Sequence, residues 1–246
     1  MKLNNLLKKL YNKNQLVFTI FFIILYCILM SIGDSISIQI GFEKSISLVI
    51  VLTLSLILFF FLYKNNLLLE YGLCKPTCKS KSMLYYLPLL VLLSDNLWFG
   101  VTFNYGLPET ILYILTMFCV GFLEEIIFRG LLFNTMKKDN IKAAIIVSSI
   151  TFGIGHIINL INGSGADLLS NILQVIYATS AGFMFIMIYY KSQSLLICIL
   201  THQIFNSLSV FGVQTTITQD IISCILLTII TGGYALYLIK SLKNDK

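Results

Sequence analysis

Two adjacent carboxylates and an arginine interrupt the apolar run FCVGFLEEIIFRG, residues 118–130. A glutamate or arginine at bilayer depth costs at least about 2.5 kcal/mol on insertion scales, so a cluster of such groups needs a compensating role. Spacing separates the jobs. Glu125 and Arg129 stand at i and i+4, where they share a helical face and can pair. Glu124 is rotated about 100° from Glu125 and has no partner on its own helix, which leaves it free for chemistry. The alternative is that Glu124, Glu125 and Arg129 form one buried ionic network that serves helix packing.

Both histidines of the chain lie in other apolar segments, in Phe152-Gly153-Ile154-Gly155-His156 and in His202-Gln203-Ile204-Phe205-Asn206. His202 and Asn206 present one polar face, and Phe152 sits one turn from His156. Gly153 and Gly155 remove bulk beside that histidine, which makes room for a neighbouring helix or an extended substrate backbone. A glutamate can activate water, an imidazole can assist or bind metal, and a carboxamide can donate to an oxyanion, so the set suits hydrolysis. An ion pathway would string polar groups from one side of the membrane to the other. Counted from the expected cytoplasmic helix ends, these groups instead gather near mid-membrane. Glu124 is roughly 15 Å deep, His202 roughly 14 Å, Asn206 roughly 20 Å and His156 roughly 22 Å.

The elements that must position these residues are membrane helices. Of 246 residues, 57% are hydrophobic and 11% charged, and the mean hydropathy is +0.88. That composition belongs to an integral, multi-pass membrane protein with no separate soluble domain. The formal charge of +6 lies in short lysine patches between apolar segments, as bilayer anchors do, and does not point to nucleic acid. The fold expected is an all-α bundle of about eight transmembrane helices, over residues 16–32, 46–63, 83–103, 110–134, 141–161, 166–190, 194–212 and 219–240. The first run is too long for a signal-peptide core and lacks a small-x-small cleavage site, so it is read as retained.

Charge supports the alternation of loops. Lys2 to Lys13, Lys64 to Lys81, Lys137 to Lys142, Lys191, and Lys240 to Lys246 fall on one side. The other side holds Asp34, Glu43, Glu109, Asp167 and Asp220, with Lys44 alone as a cation. The asymmetry predicts that both termini are cytoplasmic. Residues 1–14, with Leu3, Leu6, Leu7 and Leu10 on one face, read as an amphipathic surface segment. Residues 15–240 read as a single transmembrane domain, and 241–246 as a basic tail.

Other polar groups are weighed as helix contacts. Asp95 and Asn96 interrupt the third span, where Asp95 either lines the same cavity or bonds to a neighbouring helix. Asn159, Gln174 and Gln203 read as interhelical hydrogen bonders, and Cys119 and Cys198 as packing residues. The six cysteines have no disulfide-framework spacing, and Cys74 and Cys78 in one loop read as reduced thiols.

Together, and in this order, Glu124-Glu125-x-x-x-Arg129, Phe152-x-x-x-His156 and His202-x-x-x-Asn206 resemble the three motifs of the CPBP family. This family comprises the CAAX prenyl proteases and the bacteriocin-processing or self-immunity (Abi) proteins, and the resemblance covers roughly residues 110–211. It implies an intramembrane endopeptidase that cleaves near the carboxyl terminus of a membrane-delivered peptide or lipidated protein. Glu124 would activate the attacking water with His156, while His202 and Asn206 would stabilise the tetrahedral oxyanion. Glu125 and Arg129 would hold their helix in register, and Phe152 is a candidate substrate contact. Whether a metal takes part is left open: Glu124, His156 and His202 would make a His₂Glu zinc set, but no histidine pair stands on one helix, and water activation without metal is slightly favoured. Two other classes are carried alongside, a non-enzymatic bacteriocin-immunity or regulatory protein and a small transporter with a mid-membrane proton or metal site. The Ile-, Asn- and Lys-rich composition points to the cell membrane of a low-GC bacterium.

Overall fold

With no water in the hydrocarbon to satisfy a peptide group, each apolar run must close its own backbone hydrogen bonds, and helices do so. In the computed structural model, which describes residues 2–160 and 167–244, the chain forms α1 (Lys2–Lys13), α2 (Gln15–Ile40), α3 (Ser45–Lys64) and α4 (Leu87–Ser94). These are followed by α5 (Leu107–Met136), α6 (Ile141–Leu160), α7 (Leu168–Ser192), α8 (Leu196–Leu208) and α9 (Ile217–Asn244). Six of them (α2, α3, α5, α6, α7 and α9) are long and apolar enough to cross a membrane. The expected helical ends Ile161 and Ala166, together with Met1 and the tail residues Asp245 and Lys246, lie outside the described residues.

Two of the eight expected spans depart from a continuous helix. The segment expected over 194–212 is the short α8 extended by a 3₁₀ turn, Ser209–Phe211. The segment expected over 83–103 is broken. Leu84, Tyr85 and Tyr86 take left-handed φ values of 48°, 51° and 59° before α4 starts with Pro88 in its first turn. It ends where its polar pair finds partners elsewhere: Ser223 Oγ donates to Asp95 at 2.7 Å, and Asn96 Nδ2 donates to the Phe205 carbonyl at 2.8 Å.

The lysine-bearing segments meet at one end of the bundle. Tyr11 of α1 and Tyr71 share a hydrogen bond of 2.5 Å, Lys138 donates to Gln15 at 2.8 Å, and the Leu195 N–H donates to the Gly72 carbonyl at 2.8 Å. This end is densely packed, with Tyr71, Phe18, Phe22, Phe61 and Phe133 fully buried. On α1, Leu7 and Tyr11 pack inward while Leu3 and Leu6 stay exposed, so the single apolar face expected of this segment divides between protein and surroundings.

The acidic segments meet at the opposite end. There Val101 and Gly212 form an antiparallel bridge, and the Glu43 N–H donates to Glu109 at 3.1 Å. Lys44 is held by Asp34 at 2.9 Å and Glu43 at 3.5 Å. Burial pushes its ammonium down, but the Asp34 charge and hydrogen bond, with smaller help from Glu43, more than offset that and hold it above the ordinary lysine range.

Glycines set the closest helix approaches at the level of the motifs. A Cβ on Gly121 of α5 would stand 2.8 Å from the Gln203 nitrogen of α8, and one on Gly153 of α6 would stand 2.9 Å from the Thr179 nitrogen of α7. Gly155 has nothing within 4 Å of such an atom. Gly121→Ala is therefore expected to destabilise the protein by about 1–3 kcal/mol through overpacking, read as a lower melting temperature in detergent. Gly155→Ala is expected to melt with the parent, and equal melting of both variants would contradict this packing.

Candidate active site

At Glu125 the α5 helix widens into a π-helix that runs to Phe133, and all nine of these residues are buried. Such widened turns are frequent at functional sites, and the extra residue re-aims the side chains around it. Here it aims Glu125 at two partners. Its Oε1 accepts from Arg129 Nη1 at 2.9 Å and from His202 Nδ1 at 2.9 Å, with the carboxylate and guanidinium both fully buried. An ionised carboxylate can only accept, so Nδ1 of His202 carries the proton. The other ring nitrogen, Nε2, faces Glu124 Oε2 at 3.5 Å. Glu124 Oε1 in turn accepts from the Tyr26 hydroxyl of α2 at 2.5 Å. An unbroken line of polar contacts thus runs from Arg129 through Glu125, His202 and Glu124 to Tyr26, across α5, α8 and α2.

Aromatic rings enclose this line. The Arg129 Cζ lies 3.9 Å from the centre of the Phe152 ring and 5.4 Å from that of Phe185. This cation–π contact matters because Arg129 Nε and Nη2 have no hydrogen-bond partner among the described residues. Phe152 also stands edge-on to His156 at 5.2 Å and to His202 at 5.7 Å. The residue expected as a substrate contact is thus a wedge between the arginine and both imidazoles, although it also borders the cavity.

That cavity, of about 560 Å³, lies between α2, α5, α6, α7 and α8, and Glu124, His156 and Asn206 are all on its wall. The volume is that of a ligand site rather than a packing defect. The α-helical turns of α6 end at Gly155, and His156 opens a tighter 3₁₀ turn, His156–Leu160. Its Nδ1 lies 3.1 Å from the Phe152 carbonyl. A carbonyl only accepts, so Nδ1 is the protonated nitrogen and Nε2 keeps a free lone pair. Asn171 Nδ2 pins this turn by donating to the His156 carbonyl at 2.8 Å. The Asn206 carboxamide makes no hydrogen bond to a described residue and borders the cavity, as does Gly155. His202, by contrast, is buried behind Glu124 and is not on the wall.

The remaining polar groups behave as helix contacts. Asn159 Nδ2 donates to Gln174 at 3.0 Å and Gln203 Nε2 to the Phe118 carbonyl at 2.8 Å. Asp95, bonded to Ser223, lines an adjoining chamber of about 320 Å³ that shares Asn96, Gln174, Tyr177 and Ser209 with the main cavity. All six cysteines are free. Cys198 is buried, whereas Cys119, expected to pack, is only partly so.

Of the His₂Glu zinc set, Glu124 and His156 line one cavity, while His202 lies behind Glu124. Glu124 and His202 present an oxygen and a nitrogen 3.5 Å apart, but among the described residues no three His, Cys, Asp or Glu side chains group so as to hold a metal ion. Tyr26 is the one partner of Glu124 that sequence reasoning missed. A tyrosine buried in a span needs an acceptor for its hydroxyl, but nothing in its own segment says which.

Residues 106–208 match the family model described as type II CAAX prenyl endopeptidase Rce1-like. No curated protein and no solved structure matches the chain. The matched stretch contains Glu124, Glu125, Arg129, Phe152, His156, His202 and Asn206, the residues on which the CPBP resemblance rests. The stretch that brings these side chains together around one cavity, residues 106–208, is thus similar to the Rce1-like type II CAAX prenyl endopeptidases.

Proposed function

We propose that the protein is an intramembrane endopeptidase of a bacterial cell membrane, hydrolysing a peptide bond in a membrane-associated or lipidated polypeptide with water activated by Glu124 and His156. The observation that carries this reading is the convergence of Glu124, His156 and Asn206 on one cavity wall from three different helices. A water held between the Glu124 carboxylate and the free Nε2 of His156 loses a proton to that pair as its oxygen attacks the scissile carbonyl. The carbonyl oxygen gains the negative charge and accepts from the Asn206 amide, which has no competing partner among the described residues. Collapse of the tetrahedral intermediate breaks the carbon–nitrogen bond, and the proton taken from water passes to the departing amine.

His202 takes a different part from the oxyanion donor that the resemblance implies. Its position behind Glu124, with Nδ1 committed to Glu125, suits a residue that orients the catalytic carboxylate. The Tyr26 hydroxyl fixes the other carboxylate oxygen. Glu125 and Arg129 fix the imidazole.

Glu124→Gln and His156→Ala are each expected to lower peptide cleavage by the purified protein by about 10²–10⁴-fold, and Asn206→Ala by about 10²–10³-fold. All three should accumulate in the membrane, and undiminished cleavage by any one of them would remove that residue from the mechanism. Tyr26→Phe keeps the ring and deletes the hydroxyl, so kcat should fall while KM holds; a change confined to KM would make Tyr26 a substrate contact instead. Exhaustive chelation is expected to leave cleavage unchanged, and a loss restored by added zinc would overturn the metal-free mechanism.

A further inference from the structure

The cavity is asymmetric along the membrane normal. Its floor is at Glu124, Phe128 and Phe152, and its lining climbs through Ser31, Asp34 and Tyr113 to Glu43, Lys44 and Tyr105. Every rim residue belongs to the acidic end of the bundle. The adjoining chamber opens beside it, between Gly100, Gly212 and Asp220, at that same end. Among the described residues none from 2–13, 64–81, 137–142 or 191–196 lines either space.

On the lysine side of Glu124 the cavity is closed, and a separate recess of about 560 Å³ at that end, between Tyr11–Leu16 and Thr135–Asp139, shares no lining residue with it. Glu125 to Phe133 are buried without exception, and beneath them Phe18, Phe61 and Tyr71 complete a packed plug that α1 covers through the Tyr11 to Tyr71 hydrogen bond. A peptide approaching from the lysine side would have to unpack this plug and part the Glu125–Arg129 pair, whose disruption leaves a buried charge uncompensated. An approach from the acidic end meets, among the described residues, the cavity itself at Glu43, Lys44 and Tyr105. Lysines collect on the cytoplasmic side of membrane proteins, so the open end is the outer one.

We propose that the site takes its substrate from the extracytoplasmic face. The bond it cleaves then belongs to a polypeptide segment that has entered or crossed the membrane, rather than to a lipidated carboxyl terminus waiting in the cytoplasm. The nature of the guest, a peptide, rests on the protease reading above; the direction of approach rests only on the cavity and the lysine asymmetry.

The test measures access separately from cleavage. Ser31→Cys, midway down the cavity, and Tyr105→Cys, at its rim, are treated with a small membrane-impermeant thiol reagent in right-side-out and in inside-out vesicles, and modified positions are mapped by mass spectrometry. The native Cys74 and Cys78, in a lysine-side loop, report the opposite face in the same molecules. Both introduced thiols are expected to react in right-side-out vesicles, with Cys74 and Cys78 reacting only in inside-out ones, and modification of Ser31→Cys should be followed by loss of cleavage. If Ser31→Cys fails to react faster from the outer face, or if Tyr105→Cys reacts together with Cys74 and Cys78, the proposal is overturned. Outer-face labelling without any cleavage by the unmodified protein would count against the protease reading and leave the direction of access standing. Cleavage with cytoplasmic-face labelling would do the reverse.

Discussion

One carboxylate oxygen holds the site together. Glu125 Oε1 accepts from both Arg129 and His202 in a region from which water is excluded, and it thereby ties the π-helical turn of α5 to α8. Removing one partner of a fully buried pair costs about 3–5 kcal/mol, because the other charge stays behind. The arrangement therefore persists only as a whole. The Gly121 approach lets α8 come near enough for the imidazole to reach, and the Phe152 face gives the guanidinium the contact that its unbonded nitrogens lack. What Glu125 fixes, Glu124 inherits, since the same imidazole ring contacts both acids.

Much of this was legible in the sequence, and the limit follows from which contacts are local. The Glu125–Arg129 pair lies one turn apart on one helix, so spacing alone foretold it. The bond from His202 to Glu125 joins residues 77 positions apart, and no periodicity encodes a contact between helices. The sequence therefore grouped His202 with Asn206 by their shared face, whereas the structure turns the ring toward the acids and leaves the carboxamide at the cavity. The lysine alternation correctly separated the two ends of the bundle. Asp95 and Asn96 stood out as polar groups within the expected third span, but neither the end of its helix at Ser94 nor the left-handed turn at Leu84 to Tyr86, which carries no glycine, was announced.

The two ends of the bundle meet opposite demands. The proposed hydrolysis needs water at a carboxylate, while a buried ion pair needs water kept away. The protein separates these needs around the helix axis, between two adjacent residues of α5. Glu124 faces a polar-walled space large enough for a ligand, and its neighbour Glu125 faces a fully packed interior. Adjacent residues with the same side chain thus experience different dielectric surroundings because the helix carries them to different faces.

Tyr26 extends the site beyond its recognisable boundary. It sits on α2, some eighty residues before the stretch that matches the family, yet its hydroxyl makes the shortest contact that Glu124 has. The polar network is larger than the stretch that can be recognised by similarity. Members could retain every motif residue and still differ in how their acid is held, through changes in a first helix that carries no family signature. Divergence of activity within such a family would then be recorded in the segment that alignments of the core leave out.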